Sequence, residues 1–364
     1  MLIVRPSRLA DLQPIERLVG ANASNVTALP ADPDKLRHKI MASIQSFAAE
    51  VESPGDESYF FVLENIATGE IVGTCGITAS AGFNDRFYSY RNEVIVHASQ
   101  ELKVSNRINS LHLCNDLTGH TLLTSFYIDP ALAHTEWPQL LSRARLLFIN
   151  EFPRRFADRI AAELPGTVDA QGVSPFWDAV GKRFFNMDYP QADRLSGGRS
   201  KTFIAELMPQ YPIYVPLLPR AAQDAIGKPN PAGELPLSIL IDEGFEADRY
   251  VDIFDAGPTV EARLRMLRTS QLNRRVKVKV RVKVRLAAED NAMSQPSAHP
   301  SAQSCLVAAT ARESFRATIA DASLHTSDDD GEIALPQTII DALGIKAGDV
   351  VRAAPFGDRW SAAA

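Results

Sequence analysis

Cysteine is scarce in this chain of 364 residues, and the three that occur, Cys75, Cys114 and Cys305, lie far apart. Structural metal sites and small secreted domains need clustered or paired cysteines. We therefore expect buried, reduced thiols and no metal site.

Long hydrophobic runs are also missing. No apolar stretch reaches the roughly 18 residues that a transmembrane helix needs, and the N-terminal apolar run ends at Arg5 and Pro6, too early for a signal peptide. The net charge of −6 gives no general attraction to nucleic acid or to anionic membranes. Hydrophobic residues make up 45% of the chain, as in ordinary globular proteins. We expect a cytoplasmic protein of two or three domains.

Hydrophobic periodicity predicts strand, helix, helix, several strands and helix in the first 151 residues. The predicted strands are 2–5, 59–64, 70–77, 93–97, 111–114 and 122–128, and the predicted helices begin near residues 9, 35 and 137. This order is typical of an α+β fold with a mixed or antiparallel sheet. It matches the start of a GNAT-type acyl-CoA N-acyltransferase domain, and several other α+β folds share it.

Changes of composition divide the chain into four predicted segments. Residues 1–160 form the GNAT-like domain, and 161–270 repeat the mixture of helices and strands, as a duplicated copy of that fold would. Residues 271–304 combine a basic strand with an irregular linker, and 305–364 predict a small β-rich C-terminal appendage.

Nine short sequence words occur in one order along the chain. They are 59–64 (YFFVLE), 87–91 (FYSYR), 96–99 (VHAS), 115–119 (NDLTG), 174–177 (SPFW), 181–185 (GKRFF), 202–209 (TFIAELMP), 212–214 (PIY) and 252–259 (DIFDAGPT). Through these words the chain resembles the arginine N-succinyltransferase family, most closely its alpha-chain branch, over residues 1–270 and more weakly beyond.

The resemblance implies transfer of a succinyl group from succinyl-CoA to the α-amine of arginine, or of ornithine in some members, in arginine catabolism. Succinyl-CoA is then a co-substrate, and no bound cofactor is expected. A homologous beta-type chain is the implied partner, in a hetero-oligomer.

Two departures from the family pattern affect the expected site. The resemblance places the succinyl-CoA contact on Phe126, beside Ser125 in the predicted strand 122–128. It places the family's proton-donor histidine at Asn230, yet asparagine has no proton that titrates in the working range. Glycine is absent from 131–138, where the pyrophosphate of CoA would bind. Both departures favour a site completed by a partner, and a non-catalytic structural or regulatory subunit is the alternative.

Four further residues are weaker candidates. His97 and Asp116 could orient a substrate, although a core histidine and a turn carboxylate are the favoured interpretations. Asp116 or Glu206 is a candidate to hold the guanidinium of arginine. Arg91 is a candidate for the succinyl carboxylate, with packing and a salt bridge as the commoner role.

Residues 274–285 alternate basic side chains with valine, which puts Lys277, Lys279 and Arg281 on one face of a strand. The favoured interpretation is an edge strand whose like charges resist pairing. A binding patch for the CoA phosphates or for nucleic acid is the alternative.

Overall fold

The computed structural model of the chain describes residues 1–20, 29, 32–169, 171–196, 206–281, 303–325 and 331–357. The first seven strands are β1 (Leu2–Pro6), β2 (Ser58–Asn65), β3 (Glu70–Thr78), β4 (Ser89–Ser99), β5 (Val104–Cys114), β6 (Thr121–Ile128) and β7 (Arg159–Glu163). The others are β8 (Ile213–Tyr214), β9 (Glu246–Val251), β10 (Pro258–Arg263), β11 (Arg274–Val280), β12 (Gln303–Ala309), β13 (Ala317–His325), β14 (Glu332–Leu335) and β15 (Val350–Pro355).

Ten α-helices lie in the described residues. They are α1 (Leu12–Gly20), α2 (Pro33–Ala48), α3 (Trp137–Glu151), α4 (Pro175–Ala179), α5 (Gly181–Phe185), α6 (Tyr189–Ser196), α7 (Arg220–Ala225), α8 (Pro231–Glu243), α9 (Arg268–Leu272) and α10 (Gln337–Leu343). Helix α2 begins with Pro33 after the N-cap Asp32, whose side chain accepts a 2.9 Å bond from the Asp34 N–H. Proline suits the first helical position because its missing N–H would lack a partner there.

The described strands form one hydrogen-bonded series, in the order β12-β15-β11-β14-β13-β1-β2-β3-β6-β7-β10-β9-β4-β5-β8. Within this series β6–β7 and β11–β14 are the parallel pairs, and the other neighbours are antiparallel. Helices packed on one large, mostly antiparallel sheet confirm the expected mixture of α and β structure.

The last five strands close into a ring, because β12 pairs with both β15 and β13. Strand β11 pairs with β14 on one side and with β15 on the other. The interpretation of this basic strand as an edge strand is therefore wrong. The predicted alternation is confirmed, since Val276 and Val278 are buried and Lys277 and Lys279 are exposed. Residues 282–285 lie outside the described part of the chain.

One aromatic core joins this ring to the N-terminal strands. Phe148 of α3 packs edge to face against Phe47, Phe61 and Phe315, with ring centroids 5.1–5.5 Å apart. Such pairs add to the stabilisation from apolar burial. Phe315 precedes β13, so the packing of α3 fixes the ring against β2 and α2.

Helix α3 also fixes α8. The Arg143 side chain on α3 is 3% exposed, and its Nε donates to Glu243 while its Nη2 donates to Asp242 at 2.6 Å. Glu243 further accepts bonds from the N–H and the hydroxyl of Thr269, at 2.9 and 2.8 Å. A buried ion pair persists only when its groups are paired and hydrogen-bonded. This network therefore anchors the C-terminal end of α8 and determines where its N-terminal end lies.

Two expectations from composition have structural counterparts. Cys75 and Cys305 are buried as predicted, whereas Cys114 is half-buried, and all three are free. None of the helices in the described ranges has the length and apolar character that crossing a membrane requires.

Candidate active site

A cavity of about 350 Å³ opens where β6 and β7 diverge. The two strands pair only through Thr121 with Ile160 and Leu122 with Ala161. Beyond Leu122, the side of β6 that faces β7 has no strand partner within the described residues. The cavity lies between the rest of β6, the end of β7, α3 and the first turns of α8. Its size is in the range of pockets for small ligands.

Strand β6 bends at Ser125. This residue has φ +55°, in the left-handed region that a residue with a side chain rarely adopts. The register with β3 shifts between Thr74 and Gly76, and the hydroxyl of Thr74 donates to the carbonyl of Ser125 at 2.9 Å. Backbone strain of this kind costs roughly 1–3 kcal/mol and concentrates at functional sites. Ser125 and Phe126 both line the cavity.

The N-terminal end of α8 forms the opposite wall, with Pro231 and Ala232 on the cavity. Asn230 is the N-cap of this helix and is 8% exposed. Its Oδ1 accepts a 2.9 Å bond from the N–H of Gly233, and its own N–H donates to the carbonyl of Pro165 at 2.8 Å. Asparagine is among the favoured N-cap residues because its side chain replaces a missing helical acceptor. Asn230 therefore fixes α8 to the segment after β7.

Asp255 holds the segment after β7 in place through hydrogen bonds of its buried carboxylate. One of its carboxylate oxygens accepts from the N–H of Gly166 at 2.7 Å and from the hydroxyl of Tyr189 at 3.1 Å, and the other accepts from the N–H of Gly257 at 2.8 Å. Burial, reinforced by the neighbouring charge of Asp252, raises the pKa of Asp255 to about 7. The sequence word 252–259 thus has a structural role beside the cavity.

Arg145 is the one basic residue among the described residues that line the cavity. It is 2% exposed, and its guanidinium lies 5.7 Å from the centre of the Phe126 ring. Its Nε and Nη2 donate to the carbonyl and hydroxyl of Ser142, at 3.1 and 2.9 Å. Burial lowers the pKa of Arg145 below its ordinary value, yet a guanidinium stays charged at neutral pH. The cavity therefore contains a buried positive charge.

The turn between β6 and α3 offers few free N–H groups. Ala131 donates to the side chain of Asp129 at 2.9 Å, and Leu132 and Ala133 donate to carbonyls of the same turn at 2.8 and 3.2 Å. Helix α3 begins with Glu136 as N-cap, and this residue makes no side-chain capping bond. The N–H groups of these three residues are therefore already bonded within the turn.

Comparisons with known proteins agree on one family. A sequence model described as arginine N-succinyltransferase beta subunit matches residues 2–269, and the model of its C-terminal domain matches residues 280–355. The chain is 53% identical over 279 residues to arginine N-succinyltransferase subunit alpha of Pseudomonas aeruginosa, covering 77% of this chain and 82% of that protein. It is 37% identical over 352 residues to arginine N-succinyltransferase of Salmonella paratyphi B, covering 97% of each.

A solved structure, arginine/ornithine succinyltransferase subunit AI from Pseudomonas aeruginosa, matches with a TM-score of 0.83 and 44% identity, covering 98% of this chain and 99% of that one. The chain belongs to the arginine N-succinyltransferase family. The resemblance carried by the nine sequence words is thereby confirmed, and the match extends through the C-terminal ring.

The cavity brings together only part of the set that the succinyltransferase resemblance predicts. Ser125 and Phe126 line it, and Asn230 lies directly before the wall formed by α8. Asp116 and Arg91 lie elsewhere, joined to each other by a 2.7 Å ion pair. The hydroxyl of Tyr250 also donates to Asp116, at 3.1 Å.

Two other candidates also lie away from the cavity. Glu206 is exposed and lines a separate, open groove with Tyr88 and Thr118. The interpretation of His97 as a core histidine is wrong, because the side chain is exposed on β4 and contacts only the ring of Tyr214, at 5.8 Å between centroids, among the described aromatic residues.

Sequence reasoning missed Arg145, Glu163 and the cavity-lining start of α8. A signal for Arg145 was present, since Arg143 and Arg145 both interrupt the apolar run of the predicted helix 137–151. Charged residues on a buried helix need partners, so such positions are candidates for ion pairs or ligand contacts.

Proposed function

We propose that this chain transfers the succinyl group of succinyl-CoA to the α-amine of arginine, or of ornithine, as a subunit of an arginine N-succinyltransferase. The cavity at the divergence of β6 and β7 carries this proposal, together with the names of the relatives at 53% and 37% identity. We further propose the GNAT-type arrangement for the sheet around this cavity.

The unpaired side of β6 supports binding of an acyl-CoA. From Leu123 to Ile128 its main-chain groups face a cavity in place of a neighbouring strand. Amide N–H groups held in this way stabilise the negative oxygen that develops when an amine attacks a thioester. Phe126 then contributes its main chain to the acyl group and its ring to the cavity wall.

Glu163 supports the proton transfer that the reaction requires. A neutral amine is the nucleophile, so the α-ammonium group of arginine must lose a proton before attack. Glu163 ends β7 and is the one carboxylate among the described residues that line the cavity. We assign it the role of proton acceptor. Glu163→Gln should lower kcat by about 100-fold or more while the affinity for succinyl-CoA changes little.

Asp116 and Glu206 both lie away from the cavity, Asp116 in an ion pair with Arg91 and Glu206 in the separate groove. We therefore assign neither to the guanidinium of the acceptor, because the α-amine of the same molecule must reach the thioester in the cavity.

A homologous beta-type chain is the proposed partner, as the subunit names of the relatives suggest. We propose the β4–β5 hairpin as the surface for this partner. Among the described residues, strands β9 and β8 pair only with the base of the hairpin, and its outer part exposes four apolar side chains, Val94, Val96, Leu102 and Val104. Exposed apolar clusters commonly mark protein interfaces. Val96→Asp should weaken co-elution of the two chains in size-exclusion chromatography, and Ile66→Asp, at an exposed apolar position outside this hairpin, is the matched control.

The activity is tested by release of free CoA from succinyl-CoA and arginine, for the chain alone and mixed with the beta-type chain. The proposal expects turnover that depends on arginine and rises in the mixture. Binding of succinyl-CoA without turnover in either sample would instead support the non-catalytic subunit. A mixture that neither binds succinyl-CoA nor releases CoA would refute the proposed function.

A further inference from the structure

Arg145 is a charged group without a charged partner among the residues that the structure describes. In the described part of the chain no carboxylate pairs with it, and its Nη1 makes no hydrogen bond. Its bonds to Ser142 are made to neutral groups one turn earlier on the same helix. Burial of an unpaired charge costs several kcal/mol even after the protein relaxes. We therefore expect the buried guanidinium of Arg145 to serve ligand binding and not stability.

Its neighbour on α3 shows the contrast. Arg143 lies two residues earlier and is equally buried, yet it pairs with Glu243 and Asp242. These two carboxylates compensate the cost of burying the charge of Arg143 in the core. Arg145 instead lines a cavity that is otherwise mostly apolar. A negatively charged group of a ligand can therefore supply the counter-charge that Arg145 lacks.

The position of Arg145 suits the far end of an acyl group. It lies on α3 beneath β6, against the ring of Phe126, while the main chain of β6 offers the contacts for the thioester carbonyl. The succinyl group differs from simple acyl groups by a second carboxylate at its far end. A guanidinium in a water-poor cavity binds a carboxylate through charge-assisted hydrogen bonds, which are stronger than neutral ones.

We propose that Arg145 binds the terminal carboxylate of the succinyl group, through Nη1 and the remaining hydrogen of Nη2, and so makes the enzyme selective for acyl groups that carry a second carboxylate. This inference rests on the proposed function, because it concerns the acyl donor of the same reaction. The ring of Phe126 and the bonds to Ser142 hold the guanidinium in the required orientation.

The test compares succinyl-CoA with butyryl-CoA, in which a methyl group replaces the carboxylate. Arg145→Met should lower kcat/KM for succinyl-CoA by about 100-fold or more, and butyryl-CoA should lose little or gain. Arg145→Lys retains the charge and should fall between Met and the native residue for succinyl-CoA. Arg143→Lys is the matched control, and its ratio between the two donors should equal that of the native enzyme.

Calorimetric binding of both donors provides a readout apart from turnover. An Arg145→Met enzyme that keeps the native preference for succinyl-CoA would overturn the role of Arg145 while leaving the proposed function intact. If Met at this position prevents folding, an Arg145→Lys variant with an unchanged donor ratio and unchanged succinyl-CoA affinity would overturn it equally. A native enzyme that binds neither donor would refute both the proposed function and this inference.

Discussion

Asn230 caps α8 and lies directly before the wall that this helix forms in the cavity. Substitutions of Asn230 can therefore separate an effect on stability from an effect on ligand binding. Asn230→Ala removes the side-chain acceptor of the buried Gly233 N–H, which then keeps only its 2.9 Å bond to the main-chain carbonyl of residue 230. Loss of an N-cap costs about 0.5–2 kcal/mol, and the remaining main-chain bond places this loss in the lower half of that range. We expect a decrease of about 0.5–1 kcal/mol in the free energy of unfolding, measured by urea denaturation followed by circular dichroism.

Asn230→Asp is the matched control, because a carboxylate accepts the same bond and is favourable at a helix N-terminus. Its stability should equal that of the native chain, and its extra negative charge should weaken binding of succinyl-CoA. Asn230→His restores a titrating group at the rim of the cavity and should raise turnover. An Asn230→Ala variant with native stability would refute the capping role, and unchanged turnover in Asn230→His would show that this position does not limit the rate.

Three further predictions concern stability. Glu243→Ala leaves the buried Arg143 guanidinium paired with Asp242 but removes its bond to Glu243, and should lower the free energy of unfolding by about 3 kcal/mol in urea denaturation. Gly166→Ala should shift the thermal midpoint downwards, because an added Cβ would lie 2.6 Å from Oδ1 of Asp255. Burial lowers the pKa of His120 below its ordinary value of 6.5, so the unfolded chain binds more protons and stability should fall as the pH drops below about 6.5. His120→Asn should flatten that part of the pH profile.

A specific outcome would contradict each of these three predictions. Native stability of Glu243→Ala would mean that Arg143 finds solvent or another partner. An unchanged midpoint for Gly166→Ala would mean that the Asp255 loop yields at little cost. A pH profile with the same slope in His120→Asn would place the titration on another group.

Local sequence pattern was sufficient for the elements that build the cavity. The predicted strand 122–128 and helix 137–151 correspond to β6 and α3 within a residue at each end. Their periodicity is strong and each is bounded by proline or by polar turn residues. The start of α8 is harder to predict from sequence, because Pro236, a residue type common at helix starts, lies inside this helix.

Features set by distant contacts were not predictable in this way. The alternation of β11 indicated which side chains are buried, yet its place between β14 and β15 depends on residues more than 50 positions later. The divergence of β6 from β7, and hence the cavity, depends equally on long-range pairing. The role of Asn230 as a cap is predictable from sequence, since Asn followed by Pro is typical of a helix start.

The proposed function requires that the cavity between β6 and β7 binds succinyl-CoA. Calorimetric titration of the native chain and of Ala232→Trp tests it most directly, because Ala232 is an exposed residue on the cavity wall where a large ring should block entry without disturbing the core. We expect one succinyl-CoA bound per native chain and greatly weakened binding to Ala232→Trp at unchanged stability. Equal binding to both proteins, or none to the native chain under conditions where it is assembled, would contradict this claim.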